Sequence, residues 1–195
     1  MKASSNPNPV PTSDPKRELF RHTLATLAYR AGKAVRNAPA GLAEFRTSEG
    51  ARTPGQILAH VGDLFDWALS IARGKQAWRD SKPLPWEKEV ERFFAALKAF
   101  DDYLASGEPL HAPEEKLFQG PVADALTHVG QIAILRRMAG AAVKAENYYQ
   151  ARLSRGAWAQ SRPRPSGSSS SRGHRPAGQP RAAVPTPSCA TFRIQ

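Results

Sequence analysis

The chain has 195 residues, of which 41% are aliphatic, aromatic or cysteine, and it carries 28 Lys+Arg against 17 Asp+Glu for a net charge of +11. That length accommodates one packed domain with a tail. A single cysteine, Cys189, excludes an internal disulfide framework and a zinc ribbon, and no run approaches the roughly 18 apolar residues of a membrane span.

The charge is unevenly spread. Residues 1–150 hold 20 Lys+Arg and 17 Asp+Glu, a net of +3, whereas residues 151–195 hold eight arginines and no acid. The basic character therefore belongs to the tail and says little about a binding surface on the domain. The opening MKASSNPNPVPTSDP lacks the apolar core of a secretory signal, so the cytoplasm is the expected compartment.

Residues 1–12 read as a flexible Ser/Asn/Pro lead. Ser13 or Asp14 caps a first helix, with Pro15 in its first turn and Leu19, Phe20, Leu24, Leu27, Ala28 and Ala31 at helical spacing. The pattern fades near Asn37, and residues 38–52 form a connection. Thr53-Pro54 starts a second helix, with Ile57, Val61, Leu64, Phe65, Ala68, Ile71 and Ala72 on its apolar face and Gly74 as its stop. A third helix begins around Pro85, carries Val90, Phe93, Phe94, Leu97, Phe100 and Leu104, and ends at Gly107 and Pro109. Gly120-Pro121 is expected to open the fourth, which carries Ala125, Val129, Ile132, Leu135 and Met138 before Gly140. No long run alternates with period 2. These patterns predict an all-α four-helix bundle over residues 13–150. Residues 151–195, with six prolines, eight serines and eight arginines, cannot bury enough apolar surface to order themselves, and a disordered tail is expected.

Three ionisable residues fall on faces that should point inward. His60 lies three residues after Ile57 and four before Leu64. On the fourth helix Asp124, His128, Gln131, Leu135 and Met138 follow one another at steps of 4, 3, 4 and 3. Residues at i and i+4 are neighbours, so Asp124 and His128 can grip one ion, with His60 as a third ligand from a facing helix. Each residue also has a plain structural reading. A histidine on an apolar face is often simply hydrogen-bonded in the core. A carboxylate just after Pro121 would be favoured by the helix dipole. His128 with Gln131 can be a buried polar pair. Trp67, Trp78 and Trp86 flank the second connection and read as core or subunit interface. Arg136 and Arg137 read as a solvated surface, or as an attraction for an anionic substrate.

The segment Thr53-Pro54-Gly55-Gln56-Ile57-Leu58-Ala59-His60, followed by Asp124-Ala125-Leu126-Thr127-His128-Val129-Gly130-Gln131-Ile132, resembles the DinB-like family over residues 13–150. The resemblance implies four helices, a histidine early in the second, and a histidine pair in the fourth ahead of a Gly-Gln step. It also implies one divalent metal, a homodimer, and hydrolysis or transfer involving a small-molecule substrate such as a low-molecular-weight thiol. His60 and His128 match two of the family's three metal ligands, and Asp124 stands where the third is a histidine. A carboxylate there still suits zinc, nickel, manganese or iron, though it hardens the site. The alternative is that Asp124 marks loss of the metal. Three readings follow: a metal-dependent hydrolase or thiol transferase, a metal-free bundle acting through dimerisation, and a nucleic-acid binder working through the tail. The third is the weakest, because phosphate attraction by such a tail would be sequence-independent and salt-sensitive.

Overall fold

The structure, a computed structural model, describes residues 14–153. The expected lead over residues 1–12 and the tail beyond residue 153 lie outside the described residues. Within them every regular element is helical and no strand occurs.

Helix α1 spans Pro15–Val35. Asp14 caps it, its carboxylate accepting from the Lys16 amide at 3.0 Å. Phe20, Leu24, Leu27 and Ala31 are buried, while Leu19, expected on the same face, is 69% exposed. Adjacent helical positions point about 100° apart, and Phe20 takes the core side. A 3-10 turn at Leu42–Glu44 interrupts the following connection. Helix α2 spans Pro54–Ala72 behind a complete capping box. The Gln56 amide donates to Thr53 Oγ1 at 3.2 Å, and the Thr53 amide donates to Gln56 Oε1 at 2.9 Å. The chain leaves α2 through Gly74 at φ +72°, a left-handed stop. Helix α3 spans Trp86–Ala105 and buries Val90, Phe93, Leu97, Phe100 and Leu104 as expected.

The fourth helical rod departs from the sequence reading. It begins not at Gly120-Pro121 but at α4, Glu114–Leu117, and runs through a π turn at Phe118–Val122 into α5, Ala123–Met138. Proline has no N–H to donate and its ring collides with the carbonyl four residues back in an α-helix. A wider π turn accommodates it, and Pro121 is buried inside that turn. The extra residue also shifts the inward stripe. Leu117 and Pro121 precede the turn's end, and Val122, Ala125, Val129 and Ile132 continue the buried side. Met138, expected on that side, is exposed.

Helix α2 packs on α3 and α5, and α1 packs on the same two partners. The four helices thus form a ring in which α1 and α2, consecutive in sequence, are opposite each other. The two faces meet over a single apolar core containing Phe20, Phe65, Phe93 and Phe100. The Phe65 ring lies 6.0 Å from Phe93 and 6.5 Å from Phe100, and Phe20 meets Phe100 edge-on at 5.7 Å.

Three arginines bind the helices to one another. Arg92 of α3 reaches Glu89 at 2.6 Å, Asp63 of α2 at 2.9 Å, and the Ala59 carbonyl. A Cβ at Gly62 would stand 2.6 Å from the same guanidinium, so a larger residue there would push the Arg92 side chain from its place. Arg21 pairs with buried Asp101 through two bonds, linking α1 to α3. Arg136 of α5 corrects the expectation of a solvated surface. Its guanidinium donates to the carbonyls of Lys33, Ala34, Arg36, Asn37 and Ala141. It thereby satisfies the acceptors that the C-terminus of α1 leaves open.

Candidate metal centre

His60 stands in the second turn of α2, and Asp124 and His128 stand one turn apart in α5 where α5 packs on α2. The three side chains expected to converge do so. His60 Nε2 lies 3.3 Å from Asp124 Oδ2, and His128 Nε2 lies 3.4 Å from Asp124 Oδ1. The two imidazoles meet edge-on with ring centroids 4.8 Å apart. One ligand atom from each residue falls within 4.8 Å of the others, and among the described residues no other such group of three or more occurs. Gln131 is placed by the same stripe, its Oε1 2.8 Å from His128 Nδ1.

The helix-dipole explanation of Asp124 does not hold. The helical rod begins at Glu114, so the unpaired N–H groups of its first turn lie ten residues earlier, beside Glu114 and Glu115. Asp124 instead sits two residues past the π turn, on the side of α5 that faces His60.

The donor set fits a divalent cation. Two ligand atoms about 2.0–2.1 Å from a tetrahedral zinc stand about 3.3–3.4 Å apart; each histidine–carboxylate separation has that length, His60 to Oδ2 and His128 to Oδ1, and the three-atom set spans up to 4.8 Å. The hydrogen-bond arithmetic agrees. With the Gln131 amide oxygen on His128 Nδ1, a neutral ring carries its hydrogen there and turns the Nε2 lone pair toward a carboxylate oxygen. A cation between two such acceptors at 3.4 Å would satisfy both, as would a second proton on the ring. Holding one ring nitrogen so that the other is free is also how ligand histidines are oriented in metal sites. Exposure completes the picture. The His128 side chain is 12% exposed, His60 20% and Asp124 46%, so the cluster is anchored on its imidazole side and open on its carboxylate side. This group can hold a metal ion.

The tryptophans expected in the core or at an interface have separate positions. Trp86 fastens α3 to the end of α1, its indole N–H donating to the Val35 carbonyl at 3.0 Å. Trp67 is partly buried against the core, and its Nε1 finds no partner among the described residues. Trp78, from the connection between α2 and α3, lies against His60 with ring centroids 5.5 Å apart and against Trp67 at 5.6 Å. Its place beside the ligands was invisible in the sequence because it belongs to no periodic run. The charged group around Arg92 was likewise missed. Its signal was present in two acids, Asp63 and Glu89, each directly beside a residue of an apolar face.

Compared with protein-family models, with curated proteins and with solved structures, the chain gives no match.

Proposed function

We propose that this protein is a DinB-like metalloprotein of the cytoplasm that binds one divalent metal ion through His60 Nε2, Asp124 and His128 Nε2, and uses it in hydrolysis or in transfer involving a small thiol. The observation that carries the reading is the carboxylate of Asp124 set between two imidazole nitrogens at 3.3 and 3.4 Å, with the far nitrogen of one ring already engaged by Gln131. Bound there, the ion would supply Lewis acidity, the means by which a water or a thiol becomes a nucleophile near neutral pH.

The chain's own residues define what else the site does. His60 and His128 come from two helices packed on each other, so the ligand spacing is set by the core and not by a loop. Gln131 selects the His128 tautomer that keeps Nε2 available. Asp124 supplies the one negative charge of the set and faces solvent, where a substrate can approach. A carboxylate in place of a third imidazole widens the range of ions to zinc, nickel, manganese and iron. The ligand set leaves positions for substrate on the exposed side, whereas a closed structural site would use four protein ligands.

The full chain, purified without a histidine tag and analysed for elements, tests this. The reading expects close to one equivalent of a first-row divalent metal in the wild type and its loss in both His60→Ala and His128→Ala. Metal content that is unchanged in both variants would end it.

A further inference from the structure

We propose that Trp78 is the substrate-selecting wall of this metal centre, and that the site favours substrates whose metal-binding group carries a flat apolar or aromatic substituent. The inference deepens the metal reading and rests on it.

The argument begins with the segment that holds Trp78. Residues 73–85 run back along α2 and are tied to it at successive points. Ser70 Oγ accepts from the Ala77 amide at 3.1 Å, next to Trp78. Asp63 Oδ2 accepts from the Ser81 amide at 2.8 Å, three residues beyond it. Glu89 Oε2, on α3, accepts from the Leu84 amide at 2.9 Å. Asp63 and Glu89 are buried and are themselves held by Arg92. A buried charged group thus fixes the path of a connection that contains no regular element, and between two of the ties it presents one aromatic side chain.

Where Trp78 is held is the second part. Its ring contacts His60 on one side and Trp67 on another, both edge-on, so its orientation is fixed by two aromatic neighbours. Yet 47% of it remains exposed, beside the one ligand cluster whose carboxylate is also open to solvent. An indole covers about 150–250 Å² when fully packed, and leaving half of that in water is unfavourable. A tryptophan pinned in place while still half uncovered is preorganised to be covered by something that enters later. Rigid aromatic surface gives contact at little entropic cost, because few torsions remain to be frozen. The neighbour it shares with the ion, His60, places that surface within reach of whatever occupies the remaining coordination positions.

The test compares two probes with the same metal-binding group. Zinc-loaded full-length protein is titrated with acetohydroxamic acid and with benzohydroxamic acid, which differ by methyl against phenyl. Wild type is expected to bind the phenyl compound roughly tenfold more tightly, the size of one well-formed aromatic contact. Trp78→Ala should bind both compounds within about twofold of each other, and Trp78→Phe should keep most of the preference. Zinc stoichiometry should be unchanged in both variants. If zinc binds but the preference is absent in the wild type, or survives in Trp78→Ala, the wall is refuted while the metal reading stands. If the wild type takes up no zinc, both fall together, and the zinc titration made before any hydroxamate is added identifies which has failed.

Discussion

Two polar clusters lie on α2 within one turn of each other, and they are built on opposite principles. Around Arg92, two buried carboxylates, Asp63 and Glu89, each receive a guanidinium bond and a backbone amide, so donors and acceptors are matched. Burial alone would lower the Arg92 pKa, but the bonds from Glu89 and Asp63 outweigh it and hold the guanidinium firmly charged. Around Asp124, two imidazole nitrogens converge on one carboxylate with no buried cation or backbone amide among their partners and one side open to water. The first cluster is complete as it stands and serves the fold. The second has the donor set that could hold a cation. Buried, mutually satisfied partners mark structure, and ligand-type atoms converging at an open edge mark a candidate site.

Breaking the first cluster should be costly. Arg92→Ala leaves Asp63 and Glu89 buried without their cation, and removing one partner of such a group costs about 3–5 kcal/mol. Chemical denaturation reads this directly, and a loss under about 1 kcal/mol would show that the carboxylates relax into water. Arg136 comes next. Arg136→Ala strands the carbonyls at the end of α1, at a cost of roughly 1–3 kcal/mol. Arg136→Lys should recover little, since an ammonium cannot reproduce the planar fork that spans several carbonyls. Full recovery by lysine would mean that charge, not geometry, holds the two helices.

The second cluster should behave in the opposite way. Asp124→Asn in metal-free protein is expected to cost less than about 1 kcal/mol, the usual worth of a half-exposed charge pair, while removing metal uptake. A large stability loss without metal would make Asp124 a structural residue after all.

The smallest effect sharpens the edge of the first cluster. Burial raises the Asp66 carboxyl above its ordinary range, with Arg92 opposing, Asp63 adding and Arg79 opposing. A raised folded-state pKa means that the folded chain binds the proton more tightly than the unfolded chain. That contribution to stability is therefore present at acid pH and is lost as pH rises through the folded-state value. Asp66→Asn should raise the melting temperature slightly at neutral pH and leave it unchanged near about pH 3, where both states are protonated. A lowered melting temperature at neutral pH would show that its contact with Arg92 outweighs burial.

The same contrast explains what the sequence made legible. Period and caps placed α1, α2 and α3, because Asp14, Thr53-Pro54 and Gly74 act locally and the apolar stripes repeat every turn. His60, Asp124 and His128 were readable for the same reason, since a polar residue within an apolar stripe is a local anomaly. Gly120-Pro121 misled, because the pair marks a helix start in most settings and a π turn only when the flanking residues continue the helix. Arg136 and Asp63 were hidden because each owes its partners to another helix, and Glu89 because it pairs with Arg92 one turn on and with the Leu84 amide of the connection. Trp78 was hidden because only the path of the 73–85 connection brings it to His60.

The central claim is a single cation shared by His60, Asp124 and His128, and calorimetric titration of chelator-treated full-length protein with zinc tests it most directly. The account predicts one equivalent bound by the wild type, none by His128→Ala, and retained or tighter binding by Asp124→His, which restores a third imidazole. Equal, weak binding by the wild type and His128→Ala would contradict it.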